Sequence, residues 1–273
     1  MKFGFVFPGG DARTAAEYAR EAETAGWDGF FVWDPVWGVD PWVTLAAAAM
    51  LTSRIRLGTM LTPISRRRPW KLAGETATLD RLSNGRVILA AGLGAIDTGF
   101  DEFGEVTDRK TRAELLDEGL EVISGLWRGQ PFNFNGKHYH IRETKFNVPP
   151  PPIQTPRIPI WIVGAWPRPK SMQRTLRWDG LLPNVMDDQG NNVRATPQDV
   201  SRMKAYIVEN RQAQTPFDIV VEGKTPGDDI QQAASIVRPF AEAGATWWLD
   251  AMWDPPSLDP VLARIRQGPP RFM

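Results

Sequence analysis

The sequence predicts an α/β fold, a (β/α)8 TIM barrel with an inserted β-hairpin between helix 4 and strand 5. Three observations carry that prediction. Short β-branched or aromatic runs alternate with longer amphipathic segments, the pattern of parallel βα units. Eight such runs can be counted along the chain. The length, 273 residues, is a common size for one closed barrel.

The candidate strands are 2–7, 29–33, 56–61, 86–91, 158–163, 180–183, 218–222 and 246–250. The first, third and seventh have nearly unbroken apolar cores, as strands covered on both faces require. Helical spacing fills the gaps. Ala12, Ala15, Ala16, Ala19 and Ala22 form one stripe; Leu116, Leu120, Ile123 and Trp127 a second; Ile230, Ala233, Ala234, Val237 and Ala241 a third. An open doubly wound sheet is the competing architecture. Its glycine-rich phosphate turn would follow the first strand, but FPGGDART lacks the G-x-G-x-x-G spacing. No Walker motif is present.

One segment, 129–154, is too long for a plain αβ loop. Phe132, Phe134, Tyr139 and Ile141 alternate around Asn135-Gly136, a strong hairpin signal, and four prolines at 149–152 stiffen the return to the fifth strand. We read an insertion within one domain spanning 1–273.

Composition narrows the function classes. Basic and acidic residues balance at 32 each, so nothing points to a nucleic-acid or anionic-membrane partner. Arg66, Arg67 and Arg68 read as solvated loop charges. With no cysteine, disulfides, thiolate metal sites and thiol catalysis are excluded. No stretch approaches the ~20 apolar residues of a membrane span, and a cytoplasmic protein is the expectation. The two histidines, His138 and His140, fall in the hairpin without carboxylates at ligand spacing, so no metal site is expected.

In a barrel, chemistry gathers at the C-terminal ends of the strands. Those positions here are rich in glycine and tryptophan and poor in nucleophiles. Apolar, aromatic walls suit a planar uncharged ring better than hydrolysis, which needs a base and an activated water. Trp127 and Trp161 read as core, while Trp37, Trp166 and Trp253 follow strand ends and are expected to line a substrate pocket. Asp34, after an apolar strand and before Pro35, is the candidate catalytic acid or base. The sequence leaves open whether it instead caps the next element or pairs with an arginine. Glu222 and Asp250 end strands with the same ambiguity.

Several pieces, in order, resemble one family: GWDGFFVWD (26–34), DPWVTLAAAAMLTSRIRLGTMLTP (40–63), RPWKLAGETATLDRLSNGRVILAAGLG (68–94), RAELLDEGLEVISGLW (112–127), GKHY (136–139), PRIPIWIVG (156–164) and RWDGLLP (177–183). Together they resemble the bacterial luciferase-like flavin-dependent oxidoreductases. The most specific wording is LDRLSNGRVILAAGLG following LGTMLTP; from Asn184 onward only the βα rhythm agrees.

The resemblance implies a barrel binding FMN or the deazaflavin coenzyme F420. The ring would lie near Thr59, Met60 and Leu61, where family members often carry a non-proline cis peptide, here Thr59–Met60 or Met60–Leu61. The tail phosphate would lie near Gly92, Gly94, Arg112 and a Gly164-Ala165-Trp166 turn. Arg112 has an alternative as a surface residue paired with Glu118 or Asp108, and Arg66–Arg68 one as contacts to a charged deazaflavin tail. The resemblance further implies a homodimer through barrel helices and a flavin or F420 reductase as supplier of reduced cofactor.

Departures matter too. Pro35 stands where many F420-dependent dehydrogenases of this family have a histidine, and Ala95 near where the sugar-phosphate dehydrogenases have a glutamate. The implied function is hydride transfer to, or oxygen insertion into, a small and largely apolar organic substrate. A non-catalytic flavin-binding barrel is the alternative.

Overall fold

The computed structural model describes residues 1–144 and 149–271. Eight parallel strands close on themselves: β1 Lys2–Phe7, β2 Gly29–Val32, β3 Arg56–Thr59, β4 Val87–Gly92, β5 Ile160–Trp166, β6 Gly180–Met186, β7 Asp218–Gly223 and β8 Trp247–Ala251. Each pairs with its sequence neighbours, and β8 returns to β1 in the register Lys2↔Trp247 to Val6↔Ala251.

Eight helices cover the barrel: α1 Ala12–Ala25, α2 Pro41–Leu51, α3 Pro69–Leu82, α4 Arg109–Arg128, α5 Pro169–Leu176, α6 Pro197–Asn210, α7 Ile230–Ala243 and α8 Asp259–Arg266. Their starts are written locally. Asp11, Asp40 and Asp108 accept backbone N–H groups at the first turns of α1, α2 and α4, and Thr196 with Asp199 forms a reciprocal cap on α6. The small-residue stripe of α1 faces inward as its spacing predicts. On α7 the stripe is shorter than expected, because Ile230 stays exposed while Phe240 is buried.

Strand parity sorts the core into two sets. One packs between strands and helices and includes Phe5, Phe30, Leu57, Leu89, Ile162 and Trp248. The other fills the barrel lumen: Val6, Phe31, Ile88, Ala90, Trp161, Leu182, Val220, Trp247, Leu249 and Ala251. Phe31 stacks on Trp161 with ring centroids 5.5 Å apart, and Trp247 meets Trp161 edge-on at 5.2 Å. Gly4, Gly29 and Gly58 make room for Phe31, since a Cβ at any of them would press into its ring. This aromatic layer fills the lower lumen, so a ligand has access only from the C-terminal mouth.

Three strand ends differ from expectation by two residues or more, the fifth strand running on to Trp166. β3 stops at Thr59, and the chain rejoins the sheet at Thr62–Pro63, beside Ala91 and Gly92 of β4. The Met60–Leu61 peptide between them is cis, as are three X–Pro peptides, at Gln130–Pro131, Thr155–Pro156 and Trp166–Pro167. β6 continues past Pro183 to Met186, because parallel pairing with β5 carries on to Trp166↔Val185.

In the segment between α4 and β5, Phe132–Asn135 pairs antiparallel with His140–Thr144. Glu118 of α4 accepts the N–H groups of Lys137, His138 and Tyr139, and a side chain at Gly136 would collide with that carboxylate. Residues 145–148 of the segment lie outside the described residues.

Candidate active site

The mouth is best built from the strand ends inward. Met60 and Leu61, just past β3, and Val163 of β5 pack against the lumen core, each half-buried. Gly92 lies tucked beneath, where a Cβ would press on Leu61 and Val163. Thr59 is fully buried; its hydroxyl donates to the Ala90 carbonyl (3.2 Å) and accepts from Thr62 (2.9 Å). Thr59 therefore braces the bend from below, and the apolar surface belongs to Met60 and Leu61.

Beyond β4, Arg112 is buried. Its Nη1 donates to the carbonyls of Leu93 and Gly94, 3.0 Å each, while its Nε is buried without a partner. Neither Asp108 nor Glu118 forms an ion pair with it: Asp108 caps α4 and Glu118 holds the hairpin turn. Burial pushes the Arg112 guanidinium below its ordinary value. Phe100 lies between two guanidiniums, Arg112 at 5.5 Å and Arg66 at 5.4 Å from its ring centre.

The basic triplet is not a run of solvated charges. Arg66 and Arg67 have side chains only 7% and 19% exposed, and both reach Asp34, whose side chain is 2% exposed. Arg67 holds both carboxylate oxygens of Asp34 (3.0 and 3.1 Å); Arg66 adds a third bond and also donates to the carbonyls of Asp34 and Pro35. The arginine-pairing alternative for Asp34 is the one observed. Local sequence could not give it, because the partners lie more than thirty residues downstream. Arg68 alone of the three is exposed.

The Gly164-Ala165-Trp166 segment is strand, not turn. Gly164 faces outward against Leu181, Thr175 and Met172; the Ala165 N–H donates to Ser171 Oγ; and Trp166 packs outward on Tyr206 at 5.9 Å. Extended pairing with β6 explains the difference. Trp37, 82% exposed, walls two adjoining recesses of about 380 and 210 Å³ at the mouth, the first lined also by Arg66, Arg67 and Glu105 and the second by Trp33 and Gly9. Trp253 follows β8, half-exposed. On the hairpin, His138 contacts Glu114 (2.8 Å) and His140 contacts Asn135 (2.9 Å).

The two remaining strand-end acids separate by face. Asp250, in register with Gly223, turns outward, fully buried, to Arg264 of α8 (2.9 Å) and Thr225. Burial pushes its carboxyl up, against the pull of Arg264 and Thr225. Glu222 shares the lumen parity of Val220 and sits in register with Leu249. Among the described residues its one hydrogen-bond partner is the Trp253 indole N–H, 2.5 Å away, and burial pushes its carboxyl above the ordinary value of 4.5. Asn184, two residues past lumen-facing Leu182 and in register with Ala165, has a buried Oδ1 without a partner. Period-two counting from Val220 and Leu182 was the signal that could have given the facing of both residues.

Residues 1–253 match the luciferase-like monooxygenase family. A curated relative, the F420-dependent glucose-6-phosphate dehydrogenase of Amycolatopsis mediterranei, is 34% identical over 166 residues, 57% of this chain and 48% of that protein. The match thus spans about half the length of that relative. Among solved structures, the coenzyme F420-dependent tetrahydromethanopterin reductase from Methanopyrus kandleri superposes with a TM-score of 0.78 at 19% identity, covering 97% of this chain and 96% of that one. The oxygenating constituent of 3,6-diketocamphane monooxygenase from Pseudomonas putida, a type II Baeyer–Villiger monooxygenase in complex with FMN, gives 0.68 at 19% identity over 89% and 73%. At these identities the two structures speak for the barrel fold alone. The match across residues 1–253 does more: the chain belongs to the luciferase-like monooxygenase family.

Proposed function

We propose that the chain is a flavin- or deazaflavin-dependent oxidoreductase acting on a small, largely apolar organic substrate. The observation that carries this reading is the apolar shelf of Met60, Leu61 and Val163, set over a filled lumen in a chain of this family. F420 leads as cofactor because the relative at 34% identity is named for it; FMN is the second candidate, as in the complex of the camphane monooxygenase.

The residues present fit such a group. A flat ring finds apolar area on Met60 and Leu61, with Thr59 bracing the bend and Gly92 tucked beneath them. The buried, unpartnered Nε of Arg112, beside Gly94, offers a donor to an anionic tail. In this reading Gly164, Ala165 and Trp166 support the β5 wall, and Trp37 and Trp253 form the rim that limits water. When bound, the cofactor supplies hydride, or in the FMN case activates dioxygen. The chain's own work is to position the ring, exclude water and manage one proton. Asp34 serves that arrangement by holding Arg66 and Arg67 at the rim.

A homodimer is part of the proposal. Helix α2 buries Trp42, Leu45 and Ala48, yet leaves Val43, Met50 and Leu51 exposed on its other side. A second copy of the same face would cover them. Reduced cofactor would come from a separate reductase. Among the described residues, no helix is long and apolar enough to cross a membrane.

The test is titration of the purified protein with F420 and with FMN, followed by ring fluorescence. Micromolar binding of one assigns the cofactor and with it the reaction type. Binding of neither overturns the reading, and binding without turnover of any substrate leaves the non-catalytic barrel.

A further inference from the structure

We propose that Glu222 is the proton donor of this site and that its substrate is a small ketone or aldehyde, interconverted with the alcohol. The proposal rests on the oxidoreductase reading and specifies its chemistry. Glu222 lies at the end of β7, in register with Leu249, and its parity turns it into the mouth. Asn184 and Glu222 each stand four residues beyond the paired positions Gly180 and Asp218, on the lumen face of adjacent strands. One offers a carboxyl group; the other offers an amide oxygen that is buried and unpartnered. A proton donor beside an acceptor matches a C=O/CH–OH pair, which needs both in turn.

The surroundings of Glu222 favour its acid form. Among the described residues, the elements packed against it bring no counter-charge: Asn184 on β6 is neutral, Asp250 on β8 faces outward to Arg264, and Trp253 donates one N–H. Arg194 comes close at Gly223, on the outer side of β7 beside Trp248, and Lys224 is exposed. With burial unopposed by a cation, the neutral acid is favoured.

The step balances. A reduced deazaflavin or flavin, when bound, would supply hydride to the carbonyl carbon, forming the C–H bond. As the C=O π bond breaks, its electron pair takes the Glu222 proton. The products are the alcohol, the oxidised carrier and a Glu222 carboxylate, which regains its proton from solvent past half-exposed Trp253. In reverse, the carboxylate accepts the alcohol proton as hydride departs.

The Trp253 indole N–H reports on Glu222 without any cofactor. In ¹⁵N-labelled protein, its resonance is assigned by its loss in Trp253→Phe and followed against pH. We expect a transition above the ordinary glutamate value of 4.5, absent in Glu222→Gln. With reduced F420 or FMN, whichever binds, and cyclohexanone as probe, kcat for reduction in the wild type should fall as pH rises through that same midpoint. Glu222→Gln should lose about 10²–10⁴-fold in kcat while keeping cofactor affinity. The wild-type profile keeps the test valid if the variant does not fold. A transition at or below 4.5, a kcat profile that ignores it, or an unimpaired Glu222→Gln enzyme overturns the proposal alone. Failure to bind either cofactor overturns the proposal together with the functional reading.

Discussion

Asp34 and Glu222 look alike in sequence: each is an acid at the end of an apolar β-strand run, FFVWD and DIVVEG. Their surroundings differ. Asp34 is gripped by two guanidiniums that take both its oxygens. Glu222 faces the lumen with a single indole N–H. The first carboxylate is a structural counter-ion with no oxygen left over; the second is a group whose charge the fold disfavours. The number and sign of its partners decide what an acid at a barrel rim can do.

The largest effect should come from breaking the Asp34 cluster. Asp34→Ala strands Arg66 and Arg67, both largely buried, and should cost about 3–5 kcal/mol in denaturant unfolding. A loss under about 1 kcal/mol, with turnover abolished, would reverse the comparison and make Asp34 the chemical acid.

Next comes Glu222→Gln, with a kinetic loss and a stability signature of its own. A carboxyl with a raised folded value contributes stability that is fully present below the unfolded value and lost as pH rises through the folded one. Glu222→Gln should therefore match the wild type in Tm at pH 4 and exceed it at pH 8. Equal Tm values at both would mean that Glu222 ionises without cost.

Asp250 supplies a third acid, outward-facing and paired. Asp250→Asn keeps the shape but removes the counter-charge of Arg264, and should cost about 1–3 kcal/mol, read by thermal unfolding, with cofactor affinity unchanged. The smallest effect is Trp253→Phe. It removes one hydrogen bond, worth about 1 kcal/mol, and that bond pulls the Glu222 carboxyl down against the effect of burial. The falling limb of kcat for carbonyl reduction should move to higher pH. A shift to lower pH would show that the indole bond favours the neutral acid instead.

Much of the barrel was legible because its signals are local. Strand runs, helix stripes, the Asp11 and Asp40 caps and the Asn135-Gly136 turn each depend on residues within one or two turns of chain. The bend at Met60–Leu61 was legible by resemblance. The site was legible only in part. Of the residues the resemblance names, Met60, Leu61, Gly92 and Arg112 lie on the β3–β4 side of the mouth, whereas Gly164 and Trp166 turn outward. Missing from the sequence reading was the facing of each strand end, since one residue of offset moves a side chain from lumen to helix layer.

By itself, then, the sequence determined the alternation of strands and helices, the family and the apolar character of the mouth, all written in short-range pattern. Only the tertiary structure decided which charges are neutralised. Arg66 and Arg67 lie more than thirty residues from Asp34, and Arg264 fourteen from Asp250; neither pairing follows a helix or strand period. Barrel closure brought them together, and the same closure left Glu222 alone in the lumen with Trp253.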